Sequence, residues 1–185
     1  MTTAAMDGQG GVRRHRWRLA MWGGLGALLA LPAVAMLFTD EVQWGPEDFL
    51  VMGVMLGSVG VGGELPMRMS DSLAYRLGFG LALAAGFLLL WINLAVGIIG
   101  GEDNIANAMY GAVLLIAFFG SFASMFRPAG MGWTMLAAAA AQCIVPFVAE
   151  YRGLGGGPEV LFLTVFFAGM WLTSSVLFRQ AARDS

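Results

Sequence analysis

Leu77–Ile99, LGFGLALAAGFLLLWINLAVGII, runs for 23 residues without a charged side chain. A helix of about 20 residues, rising about 1.5 Å each, crosses a hydrocarbon core of about 30 Å. This stretch therefore has the length and polarity of a membrane span. It reads as a helix because the run is continuous, whereas barrel strands alternate over about ten residues. A helix also gives every backbone N–H and C=O the internal partner that lipid cannot offer.

Working outward, five similar runs are found, at about 19–38, 49–65, 107–126, 131–149 and 160–178. Only 12% of the 185 residues are charged while 58% are hydrophobic, and mean hydropathy is +0.75. A soluble domain carries about 25% charged residues, so too few polar groups are present here to cover a water-facing surface. The expected fold class is all-α: a polytopic transmembrane helical bundle of six spans. Residues 1–16 read as a disordered basic tail, 17–179 as one transmembrane domain and 180–185 as a short tail. Ala33-Val34-Ala35 also fits a signal-peptide cleavage site. The apolar run continues through Phe38, however, which suits an uncleaved anchor better.

Charge placement predicts the orientation. The ten basic residues are all arginine. With six spans and a cytoplasmic N-terminus, Arg13, Arg14, Arg16, Arg18, Arg68, Arg76, Arg127, Arg179 and Arg183 fall inside, and only Arg152 falls outside. This is the positive-inside pattern, met at every inner segment. Both termini are expected in the cytoplasm, with the chain in the bacterial inner membrane. Trp17, Trp22, Tyr75 and Trp133 fall near the inner boundary, and Trp44, Tyr110 and Tyr151 near the outer one, as an interfacial belt requires.

Few residues could carry chemistry. Glu64 continues the face of Gly53, Gly57 and Gly60. Burying its charge is expensive, so it is a candidate proton or cation site; the competing reading places it at the inner interface against Arg68. Asn93 and Gln142 lie well inside their spans. They either bond a neighbouring helix or line a polar path with Glu64. Glu102, Asp103, Asn104 and Asn107 form an outer polar cluster. They are read as a helix-capping turn, or as oxygen ligands for a hard cation. The small-residue faces suit close helix packing within the chain, or a homo-oligomer interface. Trp171 reads as a packing residue, and Cys143 as a small apolar packer.

Other chemistries lack their residues. The one histidine, His15, stands in the tail, which excludes bis-histidine haem ligation or a Cys/His zinc site within one chain. The sequence holds no phosphate-binding loop, no G-x-S-x-G and no H-E-x-x-H. No cofactor and no nucleic-acid partner are expected; lipid is, along with a homo-oligomer or a membrane complex.

Trp91-Ile-Asn-Leu-Ala-Val-Gly-Ile-Ile-Gly-Gly-Glu-Asp-Asn-Ile-Ala-Asn107, with Phe126-Arg-Pro-Ala-Gly-Met131 and the Arg179 tail, resembles an uncharacterised family of small bacterial polytopic membrane proteins. The resemblance covers most of residues 40–183. Where that family often carries a proline, this chain has Ile105. The likeness implies no activity. The expected role is a non-enzymatic accessory or interaction subunit. The alternative is a small transporter or channel, proton-coupled through Glu64, acting alone or as a homodimer; an enzyme acting on lipid or quinone ranks third.

Overall fold

A computed structural model describes the backbone of residues 4–101 and 103–184, and the side chains from residue 16 onward apart from residue 102. Glu102 and the side chains of Arg13, Arg14 and His15 lie outside that description. The described chain is all-helical, and six of its helices are long and apolar enough to cross a membrane. They are α1 (Ala4–Ala35), α2 (Pro46–Met69), α3 (Leu73–Ala95), α4 (Ala108–Ala123), α5 (Pro128–Tyr151) and α6 (Pro158–Arg183). The backbone is helical from Ala4, so the stretch read as a tail continues into the first span. The chain divides into two compact units, Met1–Leu65 and Pro66–Ser185.

In the first unit, α1 approaches α2 over glycines. A Cβ on Gly60 would stand 2.7 Å from Trp22 Cη2 and 3.0 Å from Leu25 Cδ1, and one on Gly63 would stand 3.1 Å from Met21 Sδ. Gly53 lies in ordinary contact distance of Leu29, while Gly57 has nothing within 4 Å. Two glycines of the expected face, Gly53 and Gly60, thus pack within the chain, and a side chain on Gly60 would require Trp22 to shift. No residue of the α1 span window is buried.

The second unit is a four-helix bundle with neighbours in ring order α3, α4, α5, α6. Its core holds Tyr75, Leu89, Ile99, Tyr110, Val113, Met131, Met135, Phe167, Trp171 and Phe178. The outer faces carry Phe118, Phe119, Phe122, Phe162 and Phe166. A soluble bundle would turn polar residues outward. This inversion follows from lipid, which is as apolar as the core, so close packing and hydrogen bonds join the helices instead. Ser174 Oγ donates to Gly78 O at 2.7 Å and Ser175 Oγ to Gly132 O at 2.6 Å. Gly132 leaves a Cβ position 2.9 Å from Arg179 Cγ, bringing α5 close to α6.

Helix ends explain where the spans stop. α3 closes at Ala95, although its apolar run continues to Ile99. Gly97 (φ +73°) turns the chain, and Ile98 and Ile99 fold back into the core. α4 and α5 both end in Schellman turns, with N–H of C″ bonded to C3 and of C′ to C2. In α5 these bonds are Leu154 to Ala149 O and Gly153 to Glu150 O, with glycine at the left-handed C′ position (φ +66°). In α4 they are Phe126 to Ser121 O and Met125 to Phe122 O. There the left-handed residues are Met125 (φ +49°) and Phe126 (φ +56°), neither of them glycine.

Candidate functional site

Glu64 belongs to the first unit and meets two donors from α1. Arg18 Nε donates to its Oε1 at 2.9 Å, and Trp22 Nε1 donates to the same oxygen at 3.1 Å. The Arg18 side chain is 55% exposed and that of Glu64 18%. The carboxylate is therefore compensated near the C-terminal end of α2, where a long arginine can keep its head in polar surroundings.

The outer cluster in the second unit is tied down by its amides. Asn107 Oδ1 accepts from the N–H groups of Ile98 and Ile99, both at 2.9 Å. Its Nδ2 donates to Gly101 O at 2.6 Å and Ile99 O at 3.3 Å. A carboxamide offers two donors and one oxygen with two lone pairs, so all four positions are used on backbone that left the helix. Gly97 is glycine for a second reason besides its φ: a Cβ there would collide with Gly101 O and C and with Asn107 Nδ2. Asn104 Oδ1 caps the 3-10 turn Ile105–Asn107 through Ala106 N, and its Nδ2 reaches Leu154 O at 2.7 Å. Asp103 is exposed. Among the described residues, no group of three or more His, Cys, Asp or Glu side chains could hold a metal ion.

Gln142 is different. It is fully buried, and neither its Nε2 nor its Oε1 has a hydrogen-bond partner. The remaining described side-chain atoms in this condition are Tyr110 Oη, Trp171 Nε1 and Arg179 Nη2. Three of these four residues escape a sequence reading. Tyr110 and Tyr75, expected in the interfacial belt, are buried at 0% and 1% exposure. Tyr75 donates its hydroxyl to Phe126 O at 2.8 Å, whereas the Tyr110 hydroxyl meets that of Thr164, which itself donates to Val160 O. Trp171 is a packing residue with an unsatisfied indole N–H, and Arg179 stacks over Trp133 at 4.5 Å. Trp17, Trp22, Trp133 and Tyr151 are exposed, as a belt requires. Asn93 is half-buried, and Cys143 faces outward.

Six helices long and apolar enough to cross a membrane make this a multi-pass integral membrane protein. The chain matches no protein-family model, and no curated protein or solved structure is similar to it.

Proposed function

We propose that the chain is a non-enzymatic accessory or interaction subunit of the bacterial inner membrane, with both termini in the cytoplasm. The observation that supports this best is Glu64. It is the one carboxylate on a small-residue face inside a span, and Arg18 and Trp22 already compensate it. An ionisable residue within a span must be paired to be tolerated, and this pairing serves the α1–α2 contact without calling for a transported proton. The resemblance carried by Trp91–Asn107 implies no activity and is compatible with this role. Purification of the full chain from its own membrane in mild detergent should recover a stoichiometric protein partner. Recovery of a lone chain counts against the role.

One observation favours a second reading, a small transporter: the unsatisfied Gln142 inside the bundle. Polar groups within spans face bundle interiors or water-filled paths and mark routes for solutes. Vesicles containing the purified chain and a pH-sensitive dye, assayed across candidate ions, should then respond, and Gln142→Leu should abolish the response. Behaviour identical to empty vesicles removes this reading.

A further inference from the structure

The arginines of the second unit divide by what they hold. Arg76 donates to Asp71 at 2.9 Å, and Arg68 is engaged as well. Arg127, Arg179 and Arg183 hold no carboxylate among the described residues. Arg179 is nevertheless held in place. Its stem crosses Gly132, where a Cβ would stand 2.9 Å from Cγ, and its guanidinium lies 4.5 Å from the centre of the Trp133 ring. Nη2 is enclosed and lacks an acceptor, while the side chain as a whole is only half-buried. Trp133 is 66% exposed. A short link joins α5 to α6 and the two run antiparallel, so this contact marks the bundle end where α5 begins and α6 ends.

Two further arginines stand about one turn nearer that end. Arg183 lies four residues beyond Arg179 on the same face of α6, and Arg127 is the N-cap of α5, five residues before Gly132. α5 starts at Pro128 without a side-chain cap, so its partial positive charge adds to theirs. Asp184 is the one acidic side chain at these two helix ends. In the other direction the same face of α6 turns apolar at once. Val176 and Leu172, three and seven residues before Arg179, are both exposed.

The positive-inside rule asks only that arginine stand on one side. It does not explain a guanidinium fixed over an exposed ring with no counter-ion. A guanidinium has five N–H donors and no acceptor, and its fork matches phosphate. Interfacial tryptophan sits at headgroup level, so Trp133 brings Arg179 to the lipid phosphates. We propose that Arg179, Trp133 and Arg127 form a binding site for the headgroup of an anionic phospholipid. Arg179 donates from its open side to the phosphodiester oxygens, and an acyl chain runs along Val176 and Leu172. Arg127 and Arg183 supply the surplus positive charge that favours an anionic headgroup over a zwitterionic one. The site rests on the membrane assignment and on neither functional reading.

Native mass spectrometry of the full chain, titrated with lipid in mild detergent, tests this. Phosphatidylglycerol should bind several-fold more tightly than phosphatidylcholine, which has the same phosphodiester but no net charge. Arg179→Gln should remove that preference. Trp133→Leu keeps every charge and should also reduce it, because the guanidinium loses its seat. Arg152→Gln removes one charge at the opposite end of α5 and should leave the preference unchanged. Equal binding of the two lipids by the unsubstituted protein overturns the site, whether or not the variants fold. An equal loss in Arg152→Gln and Arg179→Gln reduces the effect to diffuse attraction and overturns it too. Release of bound phosphatidylglycerol by an equal concentration of inorganic phosphate would identify a site for a free anion and overturn the assignment to lipid.

Discussion

A single amide, Asn107, holds the most irregular backbone in the molecule. Its oxygen satisfies the buried N–H groups of Ile98 and Ile99. Each buried donor left bare costs about 1–3 kcal/mol, so Asn107→Ala should cost about 2–5 kcal/mol. Asn107→Asp keeps the acceptor but loses both donations, and should fall between that variant and the parent. Thermal unfolding in detergent reads both, and an Asn107→Ala midpoint equal to the parent's would sink the argument. Glu64 presents the opposite case. Its partner Arg18 is more than half exposed, and exposed pairs are worth about 0–1 kcal/mol. A double-mutant cycle of Glu64→Gln with Arg18→Gln should give a coupling below about 1 kcal/mol, reduced further by salt. A coupling near 3 kcal/mol belongs to a buried pair, and its observation would return Glu64 to the membrane interior.

At the scale of elements, helix termination offers a paired experiment. α4 and α5 end in the same Schellman geometry, but the left-handed C′ residue is Met125 in one and Gly153 in the other. A left-handed conformation costs a residue with a Cβ roughly 1–2 kcal/mol, part of which glycine's greater unfolded freedom offsets. Met125→Gly should therefore stabilise the protein by about 0.5–1 kcal/mol, and Gly153→Ala should destabilise it by about the same amount. Met125 is exposed, so its removal leaves no cavity in the core. Chemical unfolding in mixed micelles measures both changes; a loss of stability in Met125→Gly would mean that its side chain matters more than its backbone strain.

The same ends show how far the sequence can be read. Six spans follow from hydropathy because their length and polarity answer to the bilayer alone. Ile98 and Ile99 are as apolar as the helix before them, so only the Asn107 bonds reveal that they have left it. The pairing of Glu64 with Arg18 joins residues 46 positions apart. Sequence spacing offers Arg68 as the neighbour and has no means of proposing Arg18. Gln142 is visible as a polar residue in an apolar run. Tyr110 and Trp171 are not, because amphipathic aromatics serve equally well at an interface or in a core.

For the whole molecule, the arginine distribution makes the strongest demand. Positive residues resist translocation; six spans place nine of ten on one side, and that side is the cytoplasm only if the N-terminus stays inside. An odd number of spans would place the two termini on opposite sides and divide the arginines between them. Labelling with a membrane-impermeant maleimide separates the cases, once Cys143→Ser has removed the native thiol. Tyr151→Cys lies at the end of α5, where the side chain is 93% exposed, and should react in intact cells. Asp184→Cys follows α6 and should react only after the membrane is opened. Tyr151 ends α5 and Asp184 follows α6, so α6 is the one span between the two sites and its orientation is tested directly. Labelling of Asp184→Cys in intact cells would place the C-terminus outside. Arg179 and Arg183 would then have crossed the membrane, and the charge argument would fail at the segment where it should be most easily satisfied.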